Sequence, residues 1–228
     1  MKALTSNRHF GKIHRMSTYF YQPKEGHGLP HDPFNAIVAP RPIGWVSTCN
    51  EQGQLNLAPY SFFTAFNYTP PLVGFTSIGA KDSLHNARAT GEFVWNLVTS
   101  DLASAMNETC AVVPLGVSEF ELGGLTPAAS TIVKAPRVKE SRVNFECKVS
   151  QIIQLNTMDG DALETWLVLG QVVGVHIDSA LLVDGVYDTA NAGHVLRGGG
   201  PGDYFNLVPE SKFIMLRPPS AAEQQKRI

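Results

Sequence analysis

Apolar and polar residues alternate at period two along much of this chain. Val143-Asn144-Phe145-Glu146-Cys147-Lys148-Val149 does so at every step, as a strand with one wet face does. Trp45-Val46-Ser47-Thr48 and Gln54-Leu55-Asn56-Leu57-Ala58 flank the turn Asn50-Glu51-Gln52-Gly53 and predict an antiparallel hairpin. Leu72 to Ser77 and Phe93 to Val98 read as further strands. Thr165 to Ile177 is long enough for a bent barrel strand, with Gly170 and Gly174 at its bends. Ala36-Ile37-Val38 is β-prone, and Pro40 and Pro42 exclude a helix behind it.

Helical periodicity is confined to short pieces. Gly79-Ala80-Lys81-Asp82 turns the chain into a short helix with Asp82 or Ser83 as its N-cap. Asp101 to Thr109 places Leu102, Ala105 and Met106 on one face. Gly116 to Pro136 is turn-rich and reads as an excursion from the sheet, not a second core. The expected fold class is mainly β with short helices (α+β). Residues 1–33 form an N-terminal extension and lead-in, 34–217 one domain, and 218–228 a frayed tail. Met1–Arg15 reads as a disordered extension ahead of an alternative start at Met16, with no apolar core for a signal peptide or membrane helix.

Composition narrows the function. With 43% apolar and 17% charged residues in 228, the chain can bury a core. A net charge of -2 without a dense Lys/Arg cluster argues against nucleic-acid and membrane partners and for a small-molecule ligand. Cys49, Cys110 and Cys147 have no CxxC spacing, so neither a disulfide framework nor a zinc site is expected. They read as small apolar residues in a reducing, cytoplasmic compartment. His27 and His31 read as loop residues with no third metal ligand nearby.

No Ser-His-Asp signature, HExxH motif or P-loop occurs, and no catalytic side chain stands out, so a bound cofactor is expected to carry the chemistry. The Gly198–Gly202 run follows no apolar strand, opens no helix and contains Pro201, so it is not a dinucleotide turn; a loop positioning Arg197 and Tyr204 is the simpler account. Lys81-Asp82-Ser83 with Asn86 offers a phosphate site: a helix N-terminus, a full positive charge and neutral donors. An ordinary N-cap beside a solvated lysine accounts for the same residues. Around Asn56 to Phe62, small polar residues interleave with aromatics. They suit the edge and walls of a flat heteroaromatic ring, or plain barrel packing of Tyr60, Phe62 and Phe63.

In their order and spacing, several blocks closely resemble the flavin reductase-like FMN-binding family. They are Arg41-Pro42-Ile43-Gly44-Trp45-Val46-Ser47-Thr48, Asn56-Leu57-Ala58-Pro59-Tyr60-Ser61-Phe62-Phe63, Pro70-Pro71, Lys81-Asp82-Ser83 with Asn86, Gly91-Glu92-Phe93 with Asn96, and Glu119-Phe120. The resemblance continues through Pro136-Arg137-Val138, Glu146-Cys147, Leu169-Gly170-Gln171 and Arg197-Gly198-Gly199 with Tyr204, covering about Phe34 to Tyr204. It implies a split β-barrel that binds FMN at a homodimer interface. Members reduce flavin substrates with NADH or NADPH, or carry electrons for a redox or oxygenase partner. It implies that Lys81, Ser83 and Asn86 hold the phosphate, while Ser47, Thr48, Asn56, Ala58, Pro59 and Ser61 line the ring. Arg41 would reach the phosphate or ribityl chain and Trp45 would wall the ring. His176 and His194 are weaker candidates for meeting the nicotinamide.

Overall fold

The structure is a computed structural model that describes residues 17–111, 113 and 117–218. The expectations for Met1–Arg15, for a start at Met16 and for the tail beyond Pro218 lie outside the described residues. The described residues divide into two compact units after Pro33. Within the first, Tyr19 Oη donates to the His27 carbonyl at 2.9 Å, and the Leu29 amide donates to His27 Nδ1 at 3.0 Å. His27 is thereby engaged as a local turn acceptor.

Among its described residues the second unit carries four short α-helices: α1 Phe34–Ile37, α2 Asp82–Thr90, α3 Ala103–Glu108 and α4 Glu119–Leu122. Its strands begin with β1 Arg41–Pro42, β2 Gly44–Cys49, β3 Leu55–Tyr60, β4 Phe63–Asn67, β5 Leu72–Ile78 and β6 Glu92–Asn96. They continue as β7 Pro127–Ala128, β8 Arg137–Val138, β9 Val143–Asn156, β10 Ala162–Ile177, β11 Leu182–Val183, β12 Val186–Tyr187, β13 Val195–Arg197 and β14 Tyr204–Asn206. Seven of them form one antiparallel sheet in the order β3-β2-β6-β9-β10-β5-β4, which curls into a half-barrel. The strand β1 joins β13 and β14 in a separate sheet. No helix among the described residues is long and apolar enough to cross a membrane.

Two apolar cores explain why β2 does not alternate. All six of its residues are buried because its faces meet different partners. Val46 joins Phe63, Phe75, Phe93, Trp95 and Trp166 with Leu84 of α2. Ile43 and Trp45 join Leu57, Met106 of α3 and Phe120 of α4. The glycines of β10 answer to contact as well as to bending: a Cβ on Gly170 would lie 2.4 Å from the Phe93 ring, so β10 passes directly over that ring.

At Ala36-Ile37-Val38 the structure corrects a strand to the end of α1 and the turn after it. The Arg41 guanidinium donates to the carbonyls of Asn35, at 2.5 Å, and of Val38. One cation collecting two carbonyls from the same turn outweighs the β propensity of Ile37 and Val38. Cys49 and Cys147 are buried in or near strands as expected, whereas Cys110 is exposed; none is bonded in a disulfide.

The excursion before Pro136 is fastened by a buried carboxylate. Glu146 on β9 accepts from the amides of Thr131, Ile132 and Val133 at 2.7, 2.6 and 3.0 Å, and bonds His176 Nε2 at 2.5 Å. Burial alone would raise this carboxyl. The His176 ring and the three amides prevail and hold it at about 2, against an ordinary 4.5. A depressed carboxyl stabilises the fold fully above 4.5, and that contribution disappears as pH falls through about 2. Urea unfolding of wild type and Glu146→Gln at a series of pH values should show their stability difference shrinking across this window. A difference that is the same at pH 7 and pH 3 would contradict the assignment.

Candidate functional site

Cross-strand register places Thr48 of β2 opposite Asn56 of β3. Packing of α2 on this hairpin brings Ser83 and Asn86 to the same point. Thr48 Oγ1 accepts from Asn56 Nδ2 at 3.1 Å and from Asn86 Nδ2 at 3.0 Å, and Asn56 Nδ2 also donates to Ser83 Oγ at 2.8 Å. All four side chains are buried. A hydroxyl that accepts still has its own proton to donate, and each amide presents a carbonyl oxygen as well. The hydroxyls of Ser83 and Thr48 therefore retain donor capacity. Near them Tyr60 Oη is buried with no hydrogen-bond partner among the described residues. Burial raises the Tyr60 phenol, with the Ser83 and Ser77 hydroxyls acting against it.

The N-cap of α2 is Lys81, not Asp82 or Ser83, and no side chain among the described residues caps the helix. The reason is the cluster itself, because Ser83 faces inward to Asn56 and cannot turn back on the helix end. The Lys81 carbonyl accepts from the amides of Leu84 and His85 at 2.9 and 3.0 Å, while those of Asp82 and Ser83 meet no acceptor among the described residues. Lys81 is exposed and forms no ion pair among the described residues.

Other residues named from the sequence lie apart from this cluster. By strand alternation Trp45 and Ser47 point to the opposite face of β2. Trp45 is fully buried and donates from Nε1 to Thr109 Oγ1 at 3.0 Å. Ser47 Oγ donates to the Pro136 carbonyl and accepts from Asn96 Nδ2 at 3.1 Å. Arg41 also donates to the carbonyls of Ser61 at 3.1 Å and Gly198 at 3.0 Å, so four of its donors are engaged by backbone. Ala58 and Pro59 are half-buried on β3, and Ser61 follows it. His176 is held by Glu146, and His194 shares a hydrogen bond of 2.9 Å with Tyr187 Oη while burial lowers its basicity. The Gly198–Gly202 loop wraps the Arg197 guanidinium, which donates to the carbonyls of Gly199, Gly200 and Asp203 at 2.8 Å each and lies over the Tyr204 ring.

A cavity of about 390 Å³ is lined by Asn56, Asp82 and Asn86 together with Glu119, Phe120 and Leu125. Sequence reasoning did not select Glu119 as a site residue. It is buried on α4, and its Oε2 accepts from the Leu57 amide at 3.1 Å. Burial raises this carboxyl, its own and the Leu57 amide oppose that, and Asp82 adds to it. The sequence signals were its place in the family-like block Glu119-Phe120 and its position after a helix-capping Ser118. Asn56 and Asn86 of the cluster line this cavity together with the carboxyls of Asp82 and Glu119, and Lys81 lies next to Asp82 at the uncapped end of α2. The open amides, Lys81 and Asn86 are groups that attract an anion.

Comparison with known proteins identifies the family and the fold. Residues 38–192 match the flavin reductase like domain, and the chain belongs to that family. It is 38% identical over 151 residues to an uncharacterised protein of Aquifex aeolicus, covering 64% of this chain and 74% of that one. Among solved structures, nitrilotriacetate monooxygenase component B from Bacillus cereus superposes with a TM-score of 0.78 at 29% identity, covering 88% of this chain and 100% of that one. The 2-nitrobenzoate 2-nitroreductase of Pseudomonas fluorescens gives 0.70 at 27% identity, over 82% of this chain and 89% of that one. The curled sheet is thus the split barrel of flavin-binding oxidoreductases.

If Thr48 Oγ1 anchors the cluster, Thr48→Val should cost about 1–3 kcal/mol in urea unfolding, because two buried amides lose their acceptor while the side-chain shape is kept. Thr48→Ser should recover most of that loss. A valine variant as stable as wild type would show that the amides find other partners.

Proposed function

We propose that the protein is an FMN-dependent oxidoreductase that takes reducing equivalents from NADH or NADPH and passes them to a second acceptor such as free flavin. We place it as a homodimer in the cytoplasm. The observation that carries this reading is the buried Thr48–Asn56–Ser83–Asn86 cluster under an uncapped helix end, opening on a cavity. The redox chemistry, hydride uptake from a reduced nicotinamide and release of electrons to an acceptor, is what FMN supplies when bound.

The chain's own residues bind and orient. Lys81, Ser83, Asn86 and the open amides of α2 hold the phosphate, and Thr48 and Asn56 fix the Asn86 amide and the Ser83 hydroxyl from behind. Ala58, Pro59 and Ser61 border the ring along β3. Trp45, Ser47 and Arg41 support from the reverse side by holding the hairpin and its flanking turn. The Glu119 carboxyl lines the same cavity and disfavours an anion beside it. No side chain has to transfer a proton. The Bacillus cereus neighbour is a monooxygenase component, which supports a separate oxygenase as consumer of the reduced flavin.

The test is the visible spectrum of the purified protein with FMN under anaerobic conditions, after NADH and then NADPH. Bleaching within seconds by one nucleotide is expected and names the donor. Bound flavin that stays oxidised until dithionite or a reduced redox protein is added would remove the nicotinamide step and leave a carrier or binding module. Lys81→Ala should weaken FMN binding by about 1.5–3 kcal/mol, the worth of a hydrogen bond to a charged group. Unchanged affinity in a fluorescence titration would take Lys81 out of the site.

A further inference from the structure

The two edges of the seven-stranded sheet are finished differently. On β3 the Leu57 amide is taken by the Glu119 carboxylate, Pro59 has no N–H to offer, and α4 packs along the strand. Such an edge offers little to another chain. The opposite edge, β4, has no ladder partner on its outer side among the described residues, and every residue after Phe63 is exposed. Its pairing with β5 is regular from Phe63 to Ala65 and shifts only before Asn67. Beside it lies an open groove of about 530 Å³ lined by Ile37, Val38, Phe62, Thr64 and Phe66. Ile37 is 70% exposed, and Val38 and Phe66 are each 49% exposed. Unpaired backbone next to an apolar groove is a template for an extended segment.

The same chain carries a segment of that description. After the turn Pro209–Ser211, residues 212–218 adopt no regular structure. Phe213, Ile214, Met215 and Leu216 are 77%, 81%, 83% and 83% exposed, so this arm has no seat among the described residues of its own chain. Four residues extended span about 13 Å, the reach of most of β4.

We infer that residues 213–216 of one copy of this chain add as a strand to the β4 edge of a second copy, with alternate side chains filling the groove at Ile37, Val38 and Phe66. A two-fold arrangement covers both arms and both grooves at once, which a single chain does not do and an unrelated partner would do only for one of them. Lys212 and Arg217 bracket the arm and keep its ends in water. The inference stands independently of any bound flavin.

A double-mutant cycle on self-association, followed by sedimentation velocity, tests it. The arm variant replaces Phe213, Ile214, Met215 and Leu216 together with Ser, all at exposed positions. The groove variant is Phe66→Asp, with Ile37→Asp in its place if circular dichroism shows that the first does not fold. Each variant should raise the dimer dissociation constant at least tenfold, and the combination should do no more than either alone, because both remove one contact. An arm variant that dimerises like wild type would overturn the inference, as would a monomeric wild type. Arm and groove effects that simply add would overturn it too, by placing them in separate contacts.

Discussion

One hydroxyl oxygen, Thr48 Oγ1, receives both the Asn56 and the Asn86 amide, and the site is arranged around that junction. Buried amides without an acceptor are costly, so the hairpin and α2 are held to the one placement that satisfies them. That placement turns Ser83 inward, away from the helix end. An inward Ser83 leaves α2 uncapped, and an uncapped α2 presents its amides and Lys81 to the outside. A stability constraint thereby leaves an open helix end beside a lysine.

Three other polar anchors act in the same way at a distance. Asn96 donates to the Trp45 carbonyl and Ser47 Oγ, while its Oδ1 receives the Val138 amide and the Asn144 side chain, which locks β2, β6, β9 and β8 together. Glu146 holds the 131–133 loop through three amides. Arg41 gathers carbonyls from the turn after α1, from Ser61 and from Gly198. Strands covered by apolar layers on both faces leave no water for such groups, so each has a protein partner. Ser47 and Thr48 are adjacent in sequence yet serve different anchors, because consecutive residues of a strand face opposite ways.

Much of this was legible in the chain. The hairpin around Asn50-Glu51-Gln52-Gly53, the first half of β9, the long β10 and the shared face of Leu102 and Met106 at the start of and within α3 followed from periodicity and turn residues. At the site, residue types and family spacing pointed to Thr48, Asn56, Ser83 and Asn86. What periodicity does not encode is which face of a doubly buried strand meets which core, so Trp45 and Ser47 were grouped with Thr48 although they face away from it. The conversion of Ala36-Ile37-Val38 to a helix end depends on Arg41, and the inward turn of Ser83 depends on Asn56, 27 residues earlier. Glu119 was missed because its partner, the Leu57 amide, belongs to an edge strand that only the assembled sheet defines. Contacts between distant parts of the chain decided all of these except the α1 turn, where Arg41 is a near neighbour in sequence.

The central claim is that this chain recognises the phosphate of its cofactor at the open end of α2. Calorimetric titration of the protein with FMN and with riboflavin, which differ only by that phosphate, tests it most directly. FMN should bind more tightly by about a hundredfold or more, some 2.7 kcal/mol. Equal affinities for the two flavins would contradict the account, since the cluster and helix end would then have no anion to hold.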